Sequence, residues 1–162
     1  MRHFMIIMGI IFLSACSELP IPASVAQDTN ISINKRAASK KLAGAIQFET
    51  TYSQQAMPNT AAFLAFHEYL TAAFPVAHEI MDKRTINELS MVYQWQGSDP
   101  SLKPIVFLSH QDVVPVDHPE KWDNAPFSGT IDDKYIHGRG SVDVKFGITG
   151  TLEAVELLYK TG

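Results

Sequence analysis

Two short polar motifs in the second half of the chain contain residue types that bind and activate metal ions. His110 and Asp112 stand two residues apart, directly after an apolar run at residues 105–108. In an extended backbone, side chains two apart point to the same side. A metal-bound imidazole commonly has a carboxylate on its other nitrogen, which fixes its orientation. The pattern predicts a metal-binding histidine beside an orienting carboxylate, although a lone His-x-Asp also occurs by chance.

The second motif reads GRGSVDVK at residues 138–145 and places Asp143 just before a predicted helix. Its glycines allow the backbone to turn tightly and to approach neighbouring segments closely. The motif is not a GxxxxGK[ST] phosphate loop, and Asp143 stands where a dinucleotide fingerprint needs its third glycine. Ser141 lies outside any GxSxG turn, so a serine hydrolase is unsupported. Taken alone, Asp143 could equally cap a helix or stabilise a turn.

The elements that must position these motifs follow from the spacing of apolar residues. Helical periodicity appears twice before residue 75, where Pro75 ends the second helix, and Asn59 or Thr60 can cap its start. The predicted elements are helices at 35–48 and 60–74, a half-buried strand at 89–96, a buried strand at 104–108, a hairpin at 131–137 and a last helix ending at Gly162. This order indicates an α/β fold, in which ligands bind at the carboxyl ends of buried strands.

The amino-acid composition of the chain excludes several classes of protein. The chain has 162 residues, 46% hydrophobic and 19% charged, with a formal net charge of −4. This apolar content is too high for a disordered chain, and the acidic balance gives no field that attracts nucleic acid. The length allows one domain at most. The single cysteine, Cys16, excludes an internal disulfide and a cysteine-based zinc finger.

The N-terminus has the pattern of an export signal. Arg2 precedes an apolar run of nine residues, far fewer than the ~20 that a membrane-spanning helix needs. Small residues then precede Cys16, as in a bacterial lipobox. We expect residues 1–15 to be a lipoprotein signal peptide, Cys16 to carry lipid, and residues 16–38 to be a tether. The expected location is the periplasmic or outer face of a bacterial cell, with the outer membrane favoured; the alternative is an ordinary signal peptide with a chance cysteine.

Several motifs in order resemble one family. They are LSHQDVVP at 108–115, Trp122, PFSG at 126–129, and GRG followed by Asp143 and Lys145. Together they resemble the zinc-dependent co-catalytic metallopeptidases, which include carboxypeptidase S, aminoacylase and glutamate carboxypeptidase. Residues 66–75 and 97–102 resemble the branch of carboxypeptidase S and the N-fatty-acyl-amino-acid hydrolases. The resemblance implies that residues 39–162 are the N-terminal portion of a truncated α/β catalytic domain with a mixed sheet flanked by helices.

The resemblance also implies residue roles. His110 would bind one of two zinc ions, Asp143 would bridge both, and Asp112 would orient His110 as a catalytic acid. A metal-activated water would hydrolyse the amide bond of a peptide or N-acyl amino acid, and the full-length form would be a homodimer. The family often has Asp where this chain has Val144, and the peptide bond before that position can be cis.

The family's general base lies in a Glu-Glu pair beyond the last helix, and Glu153 and Glu156 do not replace it. We therefore expect the 162-residue chain alone to be inactive. Two alternatives remain: a non-catalytic remnant or interaction lipoprotein of the same fold, and a different amidohydrolase chemistry at the same site. We expect His67 at the surface or boundary and Arg139 in a structural ion pair. Residues expected to pack or to have no role in the site are Trp122, Phe127, His118 and His137.

Overall fold

A computed structural model of the protein describes residues 32–55 and 57–161. Its elements belong to one compact unit, Ile31–Gly162. The helices are α1 Lys35–Ile46, α2 Thr60–Ala73, α3 Pro75–Ile80 and α4 Phe146–Thr161, and the strands are β1 Asp82–Ile86 and β2 Ser90–Gln94. Short helical turns occupy Pro119–Lys121 and Ser141–Lys145. The expected signal peptide, Cys16 and most of the tether lie outside these residues.

Asparagine side chains begin the first two helices. The side-chain oxygen of Asn34 accepts a hydrogen bond from Ala37 N at 3.0 Å, and that of Asn59 accepts one from Ala62 N at 3.3 Å. These contacts satisfy backbone donors that have no partner inside a helix, and they confirm the predicted cap at Asn59. Pro75 ends α2 as predicted but also begins α3, because a proline fits the first position of a helix.

The core lies among the four helices, with α2 packed against α1 and α3 and α4 packed against the same two helices. Phe66 and Leu70 of α2 are fully buried, and Leu152 of α4 is 4% exposed. The predicted helical periodicity is therefore confirmed for α2. On α4, Tyr159 is 55% exposed. The buried face of α4 instead continues through the polar residues Thr149 and Glu156.

The only sheet among residues 32–55 and 57–161 is an antiparallel hairpin of β1 and β2. The alternation at residues 89–96 correctly predicted β2, whereas β1 was missed because its sequence DKRTI is charged and mostly exposed. The hairpin packs on α3, where the His78 ring lies edge-on to Tyr93 and its Nε2 is 3.0 Å from the Tyr93 hydroxyl. The predicted α/β class therefore corresponds to mixed helix and small antiparallel sheet, not to a mixed sheet flanked by helices.

The prediction of a buried strand at residues 104–108 is wrong. This segment has no strand partner in the described part of the chain, and its apolar side chains are 73–92% exposed. Without a neighbouring strand, an apolar run has neither backbone pairing nor a surface to cover its side chains.

His67 is also placed differently from the expectation, because it is buried at 7% exposure rather than at the surface. No helix among the described residues is long and apolar enough to cross a membrane.

Candidate metal site

The fold brings together the three residues that the motifs singled out. His110 Nε2 lies 2.9 Å from Asp143 Oδ1, although the two residues are 33 positions apart in the chain. On the other side of the ring, His110 Nδ1 lies 2.9 Å from the Asp112 backbone carbonyl oxygen and 3.3 Å from its carboxylate Oδ1. One imidazole therefore has an aspartate at each nitrogen.

The site is open to solvent and electrostatically negative. The side chains of His110, Asp112 and Asp143 are 50%, 45% and 83% exposed. Slight burial lowers the pKa of His110, but the Asp112 carbonyl and the Asp143 carboxylate outweigh it, and the net shift is upward. Two carboxylates around one imidazole thus favour positive charge at this position, whether on the ring or on a bound cation.

Asp143 is held by the turn that connects to α4. Gly140 has a φ of +80°, and a side chain there would collide with Val113, so glycine is required at this close approach. Asp143 and Val144 depart from helical geometry, and the peptide bond between them is cis, as the family resemblance allows.

Lys145 anchors the same turn from inside the molecule. It is fully buried, and its Nζ donates to Ala45 O at 3.0 Å and Phe48 O at 2.5 Å. These carbonyls lie at the C-terminal end of α1, where a cation is favoured by the helix dipole. Burial lowers the pKa of Lys145 to about 8. The sequence motif contained Lys145, but its spacing gave no sign that the side chain points into the core.

His110 and Asp112 are held through their neighbours. Val113 N donates to Thr50 O at 2.9 Å, and Tyr52 N donates to Val113 O at 3.0 Å, forming a parallel bridge. Ser109 Oγ donates to Val144 O at 3.3 Å, which ties this segment to the Asp143 turn. The two motifs are therefore fixed to each other and to the segment that follows α1.

The donor set suits zinc, which binds imidazole nitrogen and carboxylate oxygen at ~2.0–2.2 Å. The two facing atoms, His110 Nε2 and Asp143 Oδ1, come from these two donor classes and are already neighbours. In the described part of the chain, no group of three or more His, Cys, Asp or Glu side chains is placed to hold a metal. The residues present thus fit a metal, but the described residues amount to only two of the donors that such a site would need.

The neighbouring residues without a predicted site role have their own partners. His118 pairs with Glu120 at 3.1 Å, and His137 Nε2 lies 2.6 Å from Asp132. The His137 contact, with the amides of Lys134 and Tyr135, lowers the pKa of Asp132 to about 2.

The expected ion pair of Arg139 is wrong for the described residues. Its guanidinium instead lies 5.2 Å above the Trp122 ring, where a flat cation is attracted to the aromatic face.

Comparison with known proteins is consistent with this geometry. Residues 106–162 match the family described as Peptidase family M20/M25/M40. The chain is 48% identical to the probable carboxypeptidase S-like 2 of Dictyostelium discoideum over 62% of this chain and 19% of that protein. It is 36% identical to carboxypeptidase S of Saccharomyces cerevisiae over 79% of this chain and 24% of that protein. It is 38% identical to the human N-fatty-acyl-amino acid synthase/hydrolase PM20D1 over 80% of this chain and 26% of that protein.

These relatives correct one prediction and confirm another. They are eukaryotic carboxypeptidases and hydrolases, so the expected location as a bacterial outer-membrane lipoprotein is wrong. That expectation rested on a short pattern around Cys16, whereas the similarity extends over 100 residues or more. The chain spans about a quarter or less of the length of these three relatives. The resemblance is confirmed: this chain is similar to the M20 peptidases, a family of hydrolases, and in particular to their carboxypeptidase S and N-fatty-acyl-amino acid hydrolase branch.

Proposed function

We propose that this chain supplies the first part of the active site of a zinc-dependent hydrolase that cleaves the amide bond of peptides or N-acyl amino acids. The observation that carries the proposal is the pairing of His110 Nε2 with Asp143 Oδ1 at 2.9 Å, with Asp112 at the opposite ring nitrogen. The family match includes all three residues. The names of the relatives, carboxypeptidase S and N-fatty-acyl-amino acid synthase/hydrolase, support the two substrate classes.

In this proposal His110 is a metal ligand whose orientation is set by Asp112. A carbonyl oxygen only accepts hydrogen bonds, so Nδ1 of His110 donates to Asp112 O. The Asp143 carboxylate also only accepts, so Nε2 donates to it when no metal is bound. A metal ion held between Nε2 and Asp143 would replace this second proton, while Nδ1 would keep its own. An adjacent carbonyl or carboxylate is the usual way in which proteins fix the tautomer of a metal-binding histidine.

Asp143 is the second ligand, and its two carboxylate oxygens allow it to contact two cations. A pair of bound zinc ions would polarise the substrate carbonyl and lower the pKa of a bound water to ~7. The high exposure of Asp143 leaves one side of the carboxylate open for a second ion. Asp112 contributes negative charge next to His110 and holds the Nδ1 proton in place.

The described residues supply two ligands, while catalytic zinc sites usually have three protein ligands for each ion. We therefore propose that the 162-residue chain is inactive by itself and that activity requires the remainder of an M20 catalytic domain.

The test is an assay for release of the free amino acid from N-acyl amino acids and from dipeptides. One sample is the 162-residue chain, and the other is a protein in which this sequence continues into the rest of an M20 domain. We expect turnover only in the longer protein, with loss of activity on chelation and recovery with Zn²⁺. Turnover by the short chain, or turnover that resists chelation, would contradict the proposal.

A further inference from the structure

Gln111, between the two site residues, has three hydrogen bonds to three separate parts of the fold. Its backbone carbonyl accepts from Thr50 Oγ1 at 2.6 Å, and its side-chain Oε1 is 2.8 Å from His67 Nε2 on α2. Its side-chain Nε2 donates to the carbonyl of Leu89, at the turn between β1 and β2. The side chain of Gln111 thus joins α2 to the turn between β1 and β2, and its backbone carbonyl joins both to the segment after α1.

The chemistry of these partners fixes the direction of each bond. The Leu89 carbonyl can only accept, so the amide NH₂ of Gln111 faces it and the amide oxygen faces His67. His67 must then donate from Nε2, which defines the tautomer of its neutral ring. His67 is 7% exposed and Thr50 is fully buried. Burial also lowers the pKa of His67, which keeps the ring neutral. The contacts of Gln111 are therefore partly shielded from competition with water.

We propose that Gln111 is the positioning residue for the metal site, because it sets the direction in which His110 and Asp112 face. Alternate side chains of an extended segment point to opposite sides, so fixing Gln111 inwards turns its two neighbours outwards. The segment before it, residues 104–108, has no strand pairing in the described part of the chain. The hydrogen bonds of Gln111 thus hold the chain on the N-terminal side of Asp112. The hydrogen bond between Thr50 and Val113 holds it on the C-terminal side.

The variant that tests this inference is Gln111→Met, which keeps the length of the side chain and removes its two side-chain hydrogen bonds, to His67 and Leu89. Gln47→Met is the matched control, because Gln47 is exposed and makes one long bond of 3.4 Å to Ser128 O. The first readout is the nitrogen chemical shifts of the His110 ring, measured without metal above pH 8. We expect the same ratio of Nδ1 to Nε2 protonation in the wild type and in the control, and a changed ratio in Gln111→Met, because the ring is then no longer held between Asp112 and Asp143.

The second readout is Zn²⁺ affinity, and for this readout the inference rests on the function proposed above. We expect Gln111→Met to weaken binding roughly 10–100-fold, the usual effect of losing a residue that orients a metal ligand. The control should bind as the wild type does. A folded Gln111→Met protein with unchanged His110 tautomer and unchanged Zn²⁺ affinity would overturn the inference.

Two further outcomes are informative. If Gln111→Met does not fold, the test uses His67→Phe, which removes only the donor to the Gln111 amide oxygen. This variant should change the His110 tautomer in the same direction by a smaller amount. An unchanged tautomer in His67→Phe would refute the inference. If the wild type binds no Zn²⁺, the proposed function fails, while the tautomer measurement still decides the role of Gln111.

Discussion

Replacing Asp143 by alanine in a protein that carries the complete M20 domain is expected to reduce amide hydrolysis by more than ~100-fold. Residues that only orient a metal ligand are worth about 10–100-fold, and Asp143 is proposed to contact the metal directly. The reduction should appear in kcat, because the proposed metal acts on the reacting carbonyl and water. The measurement is steady-state hydrolysis at saturating Zn²⁺, which separates loss of chemistry from loss of metal occupancy.

The control is Asp133→Ala, which removes an exposed carboxylate ten residues upstream that makes no hydrogen bond in the described part of the chain. This variant should retain wild-type rates. His110→Ala should resemble Asp143→Ala, and His118→Ala should resemble the control, since His118 pairs only with Glu120 at the surface. Wild-type rates in Asp143→Ala or His110→Ala would show that the assigned pair is not part of the active site.

Replacing Glu156 by leucine is expected to lower the free energy of unfolding by about 2–4 kcal/mol. Glu156 is 5% exposed, and its Oε1 accepts from Val76 N at 2.9 Å and Ala77 N at 3.3 Å. These amides begin α3, whose own cap residue provides no side-chain hydrogen bond. Its Oε2 also lies 3.5 Å from Lys41 Nζ. Leucine would leave both amides and part of the lysine charge without a buried partner.

The measurement is chemical denaturation of wild type and variants at neutral pH. Glu156→Gln keeps an acceptor for the α3 amides and should cost only ~1 kcal/mol, since the neutral amide weakens the Lys41 contact without removing the cap. Glu153→Gln is the matched control on the same helix, because Glu153 contacts Lys41 at 2.6 Å and makes no hydrogen bond to α3 in the described part of the chain. A Glu156→Leu protein as stable as the wild type would mean that this cap contributes nothing to the fold.

Local patterns predicted much of the helical part of this molecule. Helical spacing and the Asn59 cap correctly predicted α2, because its apolar residues recur on the face that is buried in the core. Period-two alternation correctly predicted β2, because its side chains alternate between a covered and an exposed side. The strand β1 was not predicted, because its alternation is hidden by charged residues that face solvent on both sides.

The failures concern properties that depend on distant segments. Whether residues 104–108 are buried depends on strands that must pair with them, and none is present among the described residues. Lys145 is a polar residue whose burial depends on Ala45, 100 positions away in the chain. Glu156 is likewise buried against Val76, 80 positions away. The ordered motifs singled out His110, Asp112 and Asp143, which the structure brings together. The contacts of Gln111 could not be predicted, since no sequence pattern joins it to His67 and Leu89.

The central claim, that His110 and Asp143 bind a common metal ion, is tested most directly by a Zn²⁺ titration followed through the ring nitrogens of the histidines. This measurement needs neither turnover nor a complete ligand set, and it detects weak binding. We expect the Nε2 chemical shift of His110 to change with added Zn²⁺ while Nδ1 remains protonated. The ring nitrogens of His118 and His137 should not respond at the same Zn²⁺ concentrations. Asp143→Ala should greatly weaken the response of His110. A titration in which His110 stays unchanged, or in which another histidine responds first, would contradict the claim.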